Sequence, residues 1–176
     1  DWSSCNFVWK SFRKFVWSVS TFDHQIVATT YNGLASKVIY SKSNARKWRK
    51  KLLIKGLIHE INALDNLVIY AGSKNIAYQK QGLIGAASQS NRSSHITDTG
   101  CIWSFIVDND HILAVNNSGE LITYNLLTLK LMTKTKLVDT PLYEIEKVTN
   151  NKFIAIGHGG VVMMIDVNNN TPPSLD

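Results

Sequence analysis

Short apolar runs broken by Asn, Asp, Ser and Gly recur along most of this chain, and residues 101–125 show the pattern most regularly. Ile102, Ser104 and Ile106 alternate with Trp103, Phe105 and Val107, so a strand here presents apolar groups on both faces, as a strand covered on two sides does. Asp108-Asn109-Asp110 ends that run, and His111–Val115 is a second β-rich run. Asn116-Asn117-Ser118-Gly119 supplies residues that tolerate positive φ in a tight hairpin, and Leu121–Tyr124 follows as a third strand. The pattern predicts a three-strand antiparallel meander.

The unit returns. Phe15-Val-Trp-Ser-Val19, Leu57-Ile-His-Glu-Ile61, Cys101-Ile-Trp-Ser-Phe105 and Pro141-Leu-Tyr-Glu-Ile145 align as pentads, with Trp17, His59, Trp103 and Tyr143 at their third positions. Their spacing is about 40 residues, the period of a four-stranded propeller blade. A second strand follows each pentad, at 25–30, 67–72, 111–116 and 152–157, and a third ends near Tyr40, Tyr78, Tyr124 or Ile165. The expected fold is all-β, a β-propeller segment of about four blades over 15–167, with blades at about 15–55, 57–88, 101–137 and 141–167.

Within those bounds, blade one turns at Asn32-Gly33 and has its outer strand at 49–54. Blade two turns at Ser73-Lys74 and has its fourth strand near 83–87, leaving the Ser-, Thr- and Asn-rich residues 88–100 as a surface loop. Blade four lacks a fourth strand, because the 168–176 tail combines an Asn run with two prolines that cannot donate to a ladder, and reads as disordered. Before the first pentad, Trp2, Cys5, Trp9 and Phe12 share one face of a short helix over 1–14. Read as a closing strand instead, the same segment puts Phe7, Trp9 and Ser11 on one face.

At 44% apolar and 18% charged residues, the 176-residue chain has the composition of a soluble globular protein, and no apolar run is long enough to span a membrane. Cys5 and Cys101 are too few for a disulfide framework, which fits a reducing, intracellular setting. The five histidines show no metal-ligand spacing, and no metal site or cofactor is expected. Gly157-His-Gly-Gly160 reads as a hairpin turn, since no nucleophile elbow accompanies it. The acid pairs Asp108/Asp110 and Glu144/Glu146 have no histidine or metal ligand beside them in sequence, and no enzymatic activity is expected.

Charge changes the picture at one place. Residues 1–55 hold 11 of the 19 Lys/Arg and two of the 13 acids. Lys42, Arg46, Lys47, Arg49, Lys50 and Lys51 surround Trp48, which suits a nucleic acid through phosphate neutralisation and base stacking, and suits an acidic peptide or protein partner equally. Lysines on an outer strand also block edge pairing without any partner.

With this arrangement the chain resembles the WD-repeat β-propellers over roughly residues 15–167. Val16-Trp17-Ser18-Val19 and Ile102-Trp103-Ser104-Phe105 look like the channel-lining inner strands of that family. It departs from the family pattern in lacking the Trp-Asp dipeptide, where Tyr40-Ser41, Tyr78-Gln79 and Tyr124-Asn125 stand instead. Trp2 and the cysteine-containing basic segment leading into Phe15 are similar to the connection after the F-box in F-box/WD proteins. That resemblance implies a protein-interaction scaffold or adaptor that recognises ubiquitin-ligase substrates; the alternative, a nucleic-acid-binding accessory subunit, rests on the basic segment 42–55. The resemblance also implies further blades, from a longer parent chain, a partner or a homodimer.

Overall fold

Sixteen strands account for most of the structure, a computed structural model that describes residues 15–22, 25–31, 35–42, 49–64, 67–76, 79–87, 92–97, 99–167 and 174–175. They form four antiparallel sheets of four strands, each a meander in chain order. The first contains β1 (Phe15–Phe22), β2 (Gln25–Tyr31), β3 (Ala35–Lys42) and β4 (Arg49–Lys55). The second contains β5 (Leu57–Leu64), β6 (Leu67–Ile76), β7 (Gln79–Ala87) and β8 (Arg92–Thr97). In the third are β9 (Ile102–Asp108), β10 (His111–Asn116), β11 (Glu120–Asn125) and β12 (Leu131–Lys136). In the fourth are β13 (Leu142–Lys147), β14 (Lys152–Gly157), β15 (Val162–Asp166) and β16 (Ser174–Leu175). The first strands line up side by side, β1 next to β5, β5 next to β9 and β9 next to β13. This is the all-β arrangement of propeller blades.

The two-faced strands explain the packing, because a blade with neighbours must bury apolar groups on both sides. In β10, Ile112 and Ala114 face blade two, where they meet Ile69, Ala71 and Ile84. Leu113 and Val115 face blade four, against Leu142, Ile145 and Phe153. A third cluster joins Val27 of blade one to Ile58, Ile61 and Tyr70 of blade two. The core is thus three separate layers, one in each seam. By contrast β12, Leu-Met-Thr-Lys-Thr-Lys, is exposed along nearly its whole length, and its Lys134 pairs with Glu120 at 3.5 Å. Lysines there keep an outer edge from pairing with another chain.

Three strand assignments differ from the sequence pattern. Ser73-Lys74 is not a turn: β6 runs on to Ile76, pairs Ile76 with Gln79, and pushes the third strand of blade two to 79–87. The Ser-rich stretch expected as a loop holds β8, which pairs Gly82–Ala87 with Arg92–Thr97. An outermost strand buries little, so polar residues serve there as well as apolar ones, and composition alone points to a loop. Blade four gains a two-residue outer strand, Ser174↔Asp166 and Leu175↔Ile165, in the segment expected to be tail. The prolines precede it, and the residues after them keep the N–H groups a ladder needs. The helix or closing strand read over 1–14, and residues 168–173 of the tail, lie outside the described residues.

One glycine is fixed by packing. Gly85 of β7 lies opposite Tyr70 of β6, and a Cβ at Gly85 would collide with the fully buried Tyr70 ring. Gly85→Ala is therefore expected to lower unfolding stability by about 1–3 kcal/mol through overpacking. Urea denaturation checks it, and an unchanged midpoint would mean the Tyr70 ring has room to move.

Candidate functional site

All four pentads carry the same irregularity. In β1 the ladder to β2 slips between Val16 and Ser18, and in β5 it slips between Ile58 and Glu60. Ile102 pairs with Asn116 while Ser104 pairs with Val115, and Leu142 pairs with Gly157 while Glu144 pairs with Ile156. Trp17, His59, Trp103 and Tyr143 are the extra residues. A bulge re-aims the side chain of the residue it inserts, so one tier of bulged residues arises where plain strands would alternate.

Three of the bulged rings form a row. His59 and Trp103 have centroids 4.2 Å apart at 43°, and Trp103 meets Tyr143 edge to face at 5.6 Å. Tyr143 continues the row to His158 at 6.5 Å, with its hydroxyl 3.5 Å from His158 Nδ1. His59 and Trp103 are half-buried, while Tyr143 and His158 are exposed. Edge-to-face pairs of this kind add about 0.5–1.5 kcal/mol beyond area burial.

Beneath the rings, Cys101 Sγ lies 3.2 Å from His59 Nε2, and Ser73 Oγ lies 3.5 Å from the same nitrogen. A thiol and an imidazole at that distance can share a proton. Cys101 is 3% exposed, however, so its sulfur meets His59 and not an external substrate. Sequence reasoning placed His59 in an aromatic slot but missed Cys101 as its neighbour. Overlaying the pentads one period apart puts first and third positions of adjacent blades together, and that signal was present.

The fourth pentad positions, Ser18, Glu60, Ser104 and Glu144, do a second job. Ser18 Oγ accepts from Ile61 N–H at 3.1 Å, Glu60 Oε2 from Phe105 N–H at 2.5 Å, and Ser104 Oγ from Ile145 N–H at 3.3 Å. Each bond joins the fourth position of one blade to the fifth position of the next. Ser20 repeats the motif one step along, accepting from Ala63 N–H at 3.1 Å. These inner-strand N–H groups have no strand beyond them, and the bridging side chains satisfy them.

Ser104 also donates to Glu144 Oε1 at 2.9 Å. Burial pushes the Glu60 carboxyl up from the ordinary 4.5 to about 7, with Glu144 and Glu146 adding to the rise, while the Phe105 N–H and the Ser104 hydroxyl oppose it. Ser104 has one hydroxyl proton for the two carboxyl groups it bonds, so donation to Glu144 leaves charged Glu60 without that stabilisation.

The other residues singled out in the sequence fall elsewhere. Asp108 pairs with Lys147 across blades three and four, and Asp110 O accepts from Leu126 N–H. Gly157-His-Gly-Gly160 forms the turn between β14 and β15, with Gly159 and Gly160 at φ 73° and 79° and Gly157 N–H bonded to Val161 O at 2.9 Å. Of the basic cluster, Lys42 ends β3 opposite Gln25, and Arg49, Lys50 and Lys51 open the outermost strand of blade one. Arg46, Lys47 and Trp48 lie outside the described residues. Among the described residues no three His, Cys, Asp or Glu side chains gather as a metal site, and no helix is long and apolar enough to cross a membrane.

No family model and no curated protein matches the sequence. Solved structures do. The computationally designed Ika4 protein aligns with a TM-score of 0.69 at 9% identity, over 90% of this chain and 95% of Ika4. The β-propeller domain of Cps50 (Swd1) from Myceliophteria thermophila aligns at 0.65 and 11% identity, over 95% of this chain and 58% of that domain. The designed Ika8 protein aligns at 0.66 and 10% identity, over 86% of this chain and 46% of Ika8. At such identities the likeness shows the fold, that of a β-propeller, and the chain spans little more than half of the Swd1 domain.

Glu60 makes stability pH-dependent in a direction opposite to most carboxylates. The folded state holds the Glu60 proton to about pH 7 and the unfolded state loses it near 4.5, so this contribution is full below 4.5 and is lost as pH rises through 7. The loss is on the order of 3 kcal/mol. Glu60→Gln keeps the carbonyl acceptor for Phe105 and is expected to flatten that slope, as chemical denaturation from pH 4.5 to 8 would read. An unchanged slope would place the titration elsewhere.

Proposed function

We propose that this chain is a non-catalytic, intracellular protein-interaction scaffold built on WD-like blades, acting as the substrate-recognition part of an F-box type ubiquitin ligase. The observation that carries the scaffold reading is the row of rings from His59 to His158, because the bulges at His59, Trp103 and Tyr143 bring the rings of three consecutive blades together. Tyr and Trp with one face packed and one edge exposed suit a protein contact, since they offer area at little cost in conformational entropy. The ligase assignment rests on the likeness of Trp2 and the segment before Phe15 to the F-box connection.

The second reading, a nucleic-acid-binding accessory subunit, is favoured by the crowding of Lys42, Arg46, Lys47, Arg49, Lys50 and Lys51 around Trp48. An acidic peptide would use the same cations.

Photo-crosslinking separates the readings. A benzophenone side chain at Tyr143 should capture a discrete protein that the same group at Met132 on the outer edge does not. Equal capture at both positions would contradict the scaffold reading. So would tighter binding of single-stranded RNA than of a charge-matched acidic peptide, if Lys47→Glu/Arg49→Glu abolished it.

A further inference from the structure

At each seam the second and fifth pentad positions of the later blade are buried against the blade before. Ile58 and Ile61 are 0% and 4% exposed, Ile102 and Phe105 are 0% and 1%, and Leu142 and Ile145 are 0% and 1%. The same positions in blade one are Val16 and Val19, and they are 48% and 62% exposed. Blade one therefore presents the receiving side of a seam that nothing among the described residues fills.

Blade four presents the other side. On blade three, Leu113, Val115 and Leu121 are buried beneath blade four. Their equivalents by strand pairing are Ile154, Ile156 and Val162, and Ile156 and Val162 are 44% and 65% exposed, with Met164 beside them at 38%. Glu144, the last of the bridging side chains, is exposed on this face with Glu146. Its Oε1 takes the Ser104 hydroxyl, and its Oε2 corresponds to the Glu60 oxygen that accepts from Phe105 N–H. The donor this register calls for is a fifth-position N–H, which is what Val19 supplies at the opposite end.

We infer that blade four docks onto blade one of a second copy of this chain, twice, closing an eight-bladed ring. Each end holds the complement of the other: an acceptor and an apolar face at Glu144, a donor and exposed valines at Val19. Head-to-tail seams close into a ring when the rotation allows it, and eight blades lie within the range of about four to eight that propellers use. The run of bridging residues, Ser18, Glu60, Ser104, Glu144, keeps its alternation of Ser and Glu across the new seam.

Light scattering after size exclusion at micromolar concentration tests this. The chain should run at twice its 19.7 kDa. Val19→Glu and Glu144→Lys, both at exposed positions and checked for folding by far-UV circular dichroism, should each halve the mass. The double variant should restore it, because the introduced carboxylate of one copy would then face the introduced ammonium of the other. Three results would overturn the proposal: wild-type protein at the single-chain mass, as when the faces await other blades; masses above two chains, as in an open filament; or a Glu144→Lys protein that stays dimeric.

Discussion

The inner strand of each blade has one edge that no further strand can satisfy. Its N–H groups face the middle of the assembly, where an unmet donor costs about 1–3 kcal/mol if water is excluded. The chain meets this constraint by sending a side chain across from the preceding blade to the fifth pentad position. A serine reaches Ile61 and Ile145, and a glutamate reaches Phe105. That one bond fixes the angular register of neighbouring blades, and the apolar layers then pack in the only alignment the bond permits.

Choosing glutamate at alternate blades has a consequence that serine would not. A carboxylate held among Phe105, Ser104 and two further acids loses hydration, and the fold responds by keeping it protonated toward neutral pH. The bulge just before it has a different role. It frees the third-position ring from the alternation of the strand, so the residue that bridges the seam and the residue in the row of rings are chain neighbours.

Much of this is legible in the sequence, and the reasons for the gaps are physical. The pentads and their period stand out because both faces of β9, β10 and their counterparts must be apolar, and few other folds need that at a spacing of about 40 residues. Outer strands escape, as at 92–97, because the run Arg-Ser-Ser-His has the composition of a loop and lacks the apolar alternation that marks the inner strands. The turn of blade two is misplaced by composition: Ser73-Lys74 looks like a turn, yet Ser73 is buried in a strand, and the register of Gly85 against Tyr70 places the reversal after Ile76. The slot at His59, Trp103 and Tyr143 is visible as an aligned column, but the bulge beneath it is a backbone event that residue types do not announce. Ser18, Glu60, Ser104 and Glu144 form an equally aligned column. Polar residues on an inner strand read as ordinary channel lining until their partners in the next blade are seen.

Amide hydrogen exchange at Ile61, Phe105 and Ile145 tests most directly whether the bridging side chains hold the blades together. The account predicts protection comparable to that of the Ile112 and Ala114 amides in β10, together with faster exchange at Phe105 alone when Glu60 is replaced by alanine. Exchange at those three amides as fast as at the outer strand β12 would contradict it, and the seams would then rest on apolar packing without the bond that sets their register.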